Sequence, residues 1–320
     1  MIKVALIGCG KISSGHVKAF ETIEDAAIVA ACDLAEQSLN AVCEKTGAKP
    51  YTDYKKMIDE LKDEIDLAII TLPHGLHGEA TCYCAERGVD VFLEKPMGLD
   101  SEDCRNMIEC CKKCGVMLWV GHLQRYMPIN VFAKELIDSG EYGELVGFTE
   151  TRNGEYFTES RPRWFTTKAM SGGGISINLG AHTLDKLKYF TGANIKTIFG
   201  GIHMHEGSDC EDAVQAFIEM DNGVVGTMNL IGYTSAHAYD TILYLTNGEI
   251  RIRSEIGNSV EYCKKGEPFQ LKECDHVPGM TYQMQDVIRV IRDGSRKPVV
   301  TGEYGLDIIH AVKRIYKEEQ

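Results

Sequence analysis

The start of the chain constrains its fold more than any other stretch. An apolar run from Ile2 to Ile7 leads into Gly8-Cys9-Gly10-Lys11-Ile12-Ser13, a helical pattern follows, and the next apolar run, Ala27 to Cys32, ends on an acid, Asp33. Gly8 permits a tight turn, and Gly10, followed by Lys11 and Ile12, lets the backbone approach a pyrophosphate at the positive end of the helix. The third position of this fingerprint is Ser13, small enough for close packing of helix on strand. Strand, turn, helix, strand and acid in this order predict a dinucleotide-binding βαβ unit, with Asp33 on a ribose diol. A carboxylate at that position repels a 2′-phosphate, so NAD is expected over NADP; the nearby Lys11 and Lys45 leave NADP open.

The rest of the chain extends this beginning. Apolar runs at Leu67–Thr71, Val91–Leu93 and Met117–Val120 alternate with helical patterns at about 12–23, 35–46, 53–62, 77–87 and 101–114. Asp53 and Asp100 stand where N-caps belong, and Gly88 and Gly115 where helices stop. Residues 1–121 thus read as an α/β Rossmann domain, a doubly wound parallel sheet. After a further helix near Ile129–Ser139 the pattern changes to strand-like runs, such as Val224–Ile231 and Thr241–Leu245, separated by turn signals at Asp221-Asn222-Gly223 and Thr246-Asn247-Gly248. Two helices, near 283–293 and 303–318, close the chain. Residues 122–320 read as an α+β domain on a large, mostly antiparallel open sheet, serving substrate binding and oligomerisation.

Composition excludes several functions. With 320 residues, 44% of them hydrophobic, the chain has apolar surface enough for two domains. A net charge of −13 argues against nucleic-acid and anionic-membrane partners. No run is long enough to span a membrane, and the N-terminus enters a strand without a signal-peptide pattern, so a cytoplasmic location is expected. The twelve cysteines then read as reduced thiols. Cys110, Cys111 and Cys114 lack a matching quartet of ligands, and His203 and His205, alternating on one strand, show no carboxylate partner; no metal is expected.

Further motifs follow in order: His16 and Phe20 after the glycine turn, Thr71-Leu72-Pro73 with His77, Glu94-Lys95-Pro96, Arg125-Tyr126 with Pro128, and Gly172-Gly173-Gly174 leading to His182 and Asp185. In this combination the chain resembles, over nearly its whole length, the glucose-fructose oxidoreductase, inositol dehydrogenase and rhizopine catabolism (Gfo/Idh/MocA) family. The resemblance implies a cofactor site that adds Thr71, Leu72, Pro73, His77, Glu94, Lys95 and Arg125 to the glycine turn and Asp33. It implies a substrate site of Lys95, Arg125, Tyr126, Trp164, Asn178 and His182, with Arg161 and Arg163 close by in the sequence.

Lys95 follows the apolar run Val91–Leu93, at the carboxyl edge where ligands of open α/β sheets lie, and its ammonium suits a substrate hydroxyl. His182 and Asp185, three apart on a helix, share a face. Imidazole titrates near neutrality, which makes His182 the expected proton acceptor while Lys95 donates to the oxygen. Asp185 reads as orienting or structural. Many members of the family carry an aspartate four residues before the histidine; here Asn178 stands there, which removes a two-residue Asp-His relay and leaves an orienting amide.

The expected function is hydride transfer between a nicotinamide and a secondary alcohol or ketone of a sugar, polyol or related small molecule, in a homodimer or homotetramer. Two alternatives are an NAD-dependent glycosidase that oxidises its sugar transiently and a non-catalytic dinucleotide sensor; retention of both Lys95 and His182 speaks against the sensor.

Overall fold

The computed structural model describes residues 1–233, 236–254 and 258–319. The chain divides into two compact units, Met1–His122 with Met280–Leu306, and Leu123–Gly279 with Asp307–Gln320. In the first unit, strands β1 (Ile2–Ile7), β2 (Ala26–Cys32), β3 (Lys49–Tyr51), β4 (Leu67–Ile70), β5 (Asp90–Leu93) and β6 (Leu118–Val120) form a parallel sheet in the order β3-β2-β1-β4-β5-β6. That order, with helices between strands, is the doubly wound dinucleotide-binding topology expected from the sequence.

The helices of this unit are α1 (Ser13–Phe20), α2 (Glu36–Thr46), α3 (Tyr54–Leu61), α4 (His77–Ala85) and α5 (Ser101–Cys114). Their ends follow local chemistry. The Asp53 carboxylate accepts from the backbone N–H of Lys55 and Lys56 ahead of α3, and that of Asp100 from Asp103 N–H in α5. Such caps are worth about 1 kcal/mol each. Gly115 ends α5 in the left-handed conformation, at φ 71°. Every residue of β4 is buried, as a strand covered on both faces requires. The three-residue β3 was not anticipated, because Pro50 and its shortness hide it; it is an edge strand, where proline is tolerated.

The second unit is built from α6 (Pro128–Asp138), β7 (Leu145–Asn153), the short α7 (Lys168–Ser171), α8 (Ala181–Thr191), β8 (Ile195–Met204), β9 (Glu211–Met220), β10 (Val225–Ile231), β11 (Ala238–Leu245), β12 (Gly248–Arg253), β13 (Ser259–Lys264) and β14 (Gln270–Glu273). The strands form an eight-stranded sheet, order β14-β13-β12-β11-β7-β10-β9-β8, antiparallel except for the pair β7 and β10. Gly223, at φ 88°, turns the chain between β9 and β10. Thr246 and Asn247 alone join β11 to β12, since Leu245 already pairs with Gly248.

One face of this sheet is apolar and buried, carrying Phe148, Ile218, Met228, Leu230, Leu243, Ile250 and Ile252. Within that face, Glu150 on β7 meets Lys186 on α8 at 3.1 Å, both buried, and Thr241 Oγ1 takes a further bond from Lys186 Nζ at 2.7 Å. Burial alone would push the Lys186 ammonium down, but Glu150 beside it holds it above its ordinary range. The pair pins α8 to the sheet. The opposite face presents Phe199 and Phe217, directly paired across β8 and β9, with Val225 and Tyr244 further along.

Helices α9 (Gly279–Asp293) and α10 (Gly302–Ile315) complete the fold. From α9, Met284, Val287, Ile288 and Val290 join the core of the first unit with Val4, Leu6, Val17, Ile28 and Phe92. No helix among the described residues is long and apolar enough to cross a membrane.

Candidate functional site

The parallel register aligns the carboxyl ends of β1, β2 and β4, Ile7 opposite Cys32 on one side and Ile70 on the other. Gly8, Asp33 and Thr71 follow those ends directly. Gly8 has φ 99°, and a Cβ there would stand 2.9 Å from both Thr71 O and Thr71 Oγ1. Only glycine fits, as the sequence reading required. Thr71 Oγ1 donates to Gly8 O at 2.7 Å, so the threonine fastens the turn.

Gly10 is different: it is exposed, and a Cβ there would meet no atom within 4 Å. That side of the turn is open to a close-approaching group, and Lys11 and Ile12 beside it are exposed too. Among the described residues no side chain caps the first turn of α1, whose backbone N–H groups are suited to an anion. Ser13 is buried and donates to Gly10 O at 2.6 Å. Asp33 Oδ2 accepts from Cys9 N–H at 2.6 Å and Oδ1 from Ala35 N–H at 2.7 Å, which fixes the carboxylate at the rim of the turn. Burial and the neighbouring Asp33 push the Cys9 thiol up to about 12, so it stays protonated. An open glycine turn, an uncapped helix and a fixed carboxylate fit a dinucleotide.

After β5, the Glu94 carboxylate is buried and meets His16 Nε2 at 2.9 Å, while its other oxygen accepts from Lys95 N–H at 3.1 Å. Burial would raise Glu94, but His16 and then Lys95 hold it below the usual carboxylate range. Lys95 is half-buried and precedes Pro96 through a cis peptide bond. His77 is fully buried, with Nε2 at 2.8 Å from Leu72 O and Nδ1 at 3.1 Å from Pro96 O. Burial lowers its pKa, against the backbone carbonyls that favour the charged ring, and the ring lies between the segments of Leu72-Pro73 and Lys95-Pro96.

In the second unit the triple glycine has a packing reason. A Cβ on Gly174 would lie 1.9 Å from Glu211 O, and one on Gly173 2.2 Å from Tyr316 Oη. Glu211, a buried acid that the sequence did not single out, accepts from Gly174 N–H and Ser176 N–H, each at 2.8 Å, and from the Tyr316 hydroxyl at 2.7 Å. It holds the start of a single π-helical turn, Ser176–Gly180, which places Asn178 just before α8. Such turns recur at functional sites. Asn178 Nδ2 donates to Tyr156 Oη at 3.0 Å, and that hydroxyl donates to Gly174 O at 3.1 Å.

On α8, Asp185 is buried and accepts from Gln124 N–H at 2.9 Å, and His182 Nδ1 lies 3.3 Å from Gln124 Nε2. Gln124, Arg125 and Tyr126 form one 3-10 turn. Arg125 stands over the Tyr189 ring at 5.6 Å. Trp164 stacks on Phe165 at 3.9 Å, and Arg161 lies over the Tyr156 ring at 4.1 Å. His203 and His205 do have a carboxylate, contrary to the sequence reading: Asp212, buried at a register shift between β8 and β9, lies 2.9 Å from Nδ1 of each. A strand irregularity of this kind re-aims a side chain and leaves no trace in sequence spacing.

Comparison with known proteins agrees with both units. Residues 2–122 match the model of an oxidoreductase family with an NAD-binding Rossmann fold, and residues 131–251 match the GFO/IDH/MocA C-terminal domain. The chain belongs to the Gfo/Idh/MocA oxidoreductase family. Among curated relatives, scyllo-inositol 2-dehydrogenase (NAD(+)) of Bacillus subtilis is 28% identical over 75% of this chain and 69% of its own. The 2,7-anhydro-N-acetylneuraminate hydratase of Escherichia coli is 26% identical over 73% of this chain and 66% of its own. The chain spans 60% to 69% of the length of the first curated relatives it matches. In fold, it superposes on the aldose-aldose oxidoreductase of Caulobacter crescentus with a TM-score of 0.88, at 21% identity, covering 99% of this chain and 97% of the other.

Proposed function

We propose that this Gfo/Idh/MocA protein catalyses reversible hydride transfer between NAD and a secondary alcohol or ketone of a sugar or polyol. The observation that carries the reading is the first unit's turn, open at Gly10, uncapped at α1 and rimmed by the Asp33 carboxylate. Gly8, Gly10, Lys11 and Ile12 hold the pyrophosphate, Asp33 the ribose diol, and the exposed Leu34 offers an apolar face to the adenine. Thr71, Leu72, Pro73, His77 and Glu94 shape the floor of that site, His77 and Glu94 by bracing it from within.

The nicotinamide, when bound, accepts or returns the hydride. The chain's own residues orient the substrate, stabilise charge on its oxygen and move the proton. Lys95 and His182 are assigned to the reacting hydroxyl, Asn178 to a neighbouring one, and Arg125, Tyr126 and Trp164 to the rest of the substrate. Asp185 acts through Gln124 and is a positioning residue.

The kinship with a hydratase supports a second reading, in which the hydride is removed, a bond to the sugar is broken or formed, and the hydride is returned. A panel of polyols, sugars and sugar acids, offered with NAD, separates the two. Net accumulation of NADH with one substrate class is the expected result. Turnover of an anhydro-sugar or glycoside without net NADH identifies the second reading, and no conversion of any substrate contradicts both.

A further inference from the structure

The amides around His182 orient one another, and their orientation bears on which ring nitrogen carries the proton. Asn130, on the first turn of α6, places its Nδ2 at 2.9 Å from the backbone carbonyl of Gln124. A carbonyl only accepts, so the Asn130 atom facing it is the NH₂. The same NH₂ lies 2.9 Å from the side-chain oxygen of Gln124, which fixes Gln124 with Oε1 toward Asn130 and Nε2 toward His182. Turning Asn130 over would set its oxygen against two acceptors. The Asn130 Oδ1 atom is itself buried without a hydrogen-bond partner among the described residues.

The backbone of Gln124 is held as well, since its N–H donates to the buried Asp185 on the same helix as His182. An amide NH₂ fixed at 3.3 Å from Nδ1 is a donor aimed at that nitrogen. We infer that Gln124 and Asn130 are positioning residues that hold His182 in the neutral tautomer with its proton on Nε2. A proton on Nδ1, in the other tautomer or in the imidazolium, would set two donors against each other.

This rests on the hydride-transfer reading for its consequence. A neutral imidazole that keeps its proton on Nε2 meets the substrate oxygen as a hydrogen-bond donor. It polarises a carbonyl or holds a developing alkoxide, but has no lone pair at Nε2 with which to accept the hydroxyl proton. With NAD bound, the cofactor would take up the hydride, and the hydroxyl proton would go to a group other than His182; Lys95 is the candidate, as a neutral amine that becomes the ammonium on accepting it. The roles expected from the sequence are thereby exchanged.

Long-range proton–nitrogen correlation spectra of the protein labelled in its histidine rings test this without turnover. The His182 signals are assigned by their loss in His182→Gln. At neutral pH the ring is expected to show a protonated Nε2 and a bare Nδ1. Gln124→Glu, which replaces the donor by a carboxylate, is expected to move the proton to Nδ1. A wild-type ring protonated at Nδ1 overturns the inference, as does a folded Gln124→Glu protein whose ring is unchanged. If the spectra are as expected but no substrate in the panel is converted, the redox reading fails and the tautomer assignment stands.

Discussion

Glu94 and His16, 78 positions apart, face each other at 2.9 Å in the interior of the first unit. His16 and Lys95 overcome burial to keep the Glu94 carboxyl below its ordinary value. A group whose pKa is depressed on folding contributes stability above its unfolded value, about 4.3 for glutamate, and that stability is lost as pH falls through the depressed folded value. Removing His16 lets burial dominate, so Glu94 takes up its proton at higher pH. His16→Ala is therefore expected to move the acid-unfolding midpoint upward, followed by circular dichroism. An unchanged midpoint would show that the pair does not couple to folding.

Cofactor choice rests on Asp33. The run that follows it, Leu34-Ala35-Glu36-Gln37, contains no arginine to receive a 2′-phosphate. Apo-protein titrated with NADH and NADPH is expected to bind NADH more tightly, by roughly tenfold or more, the scale of one charged hydrogen bond. Asp33→Ala narrows the gap. Tighter binding of NADPH would contradict the assignment.

Association is expected through the uncovered face of the eight-stranded sheet. Phe199 and Phe217 are 59% and 37% exposed, with ring centroids 5.3 Å apart, and a paired aromatic patch on an open sheet marks a surface for association. Light scattering at micromolar concentration should give a dimer or tetramer, and Phe199→Glu with Phe217→Glu should dissociate it. A monomeric mass for the unaltered chain would refute this.

What the sequence made legible was set by local chemistry. The period of the apolar runs gave both sheets, Asp53, Asp100 and Gly115 gave helix ends, and Gly8 could be read because a left-handed turn against Thr71 excludes every side chain. Long-range relationships were hidden. Nothing local tells that α9 packs into the core around Val4 and Phe92, that Asp212 receives His203 and His205, or that Gln124 reaches a histidine 58 positions away. Lys95, His182 and Asn178 could be named as candidates from the sequence, but the hydrogen bonds of Asn178 to Tyr156 and of His182 to Gln124 could not, and such partners decide what each side chain can do.

The most direct test of the account is steady-state turnover of Lys95→Ala and His182→Ala on the substrate that the panel identifies, with NADH affinity measured alongside. Each variant should lose about a hundredfold or more in kcat, Lys95→Ala at least as much as His182→Ala, while NADH binds almost as before. Near-full turnover in either variant, or a loss explained entirely by weaker NADH binding, would contradict the proposal that these two side chains act on the reacting hydroxyl.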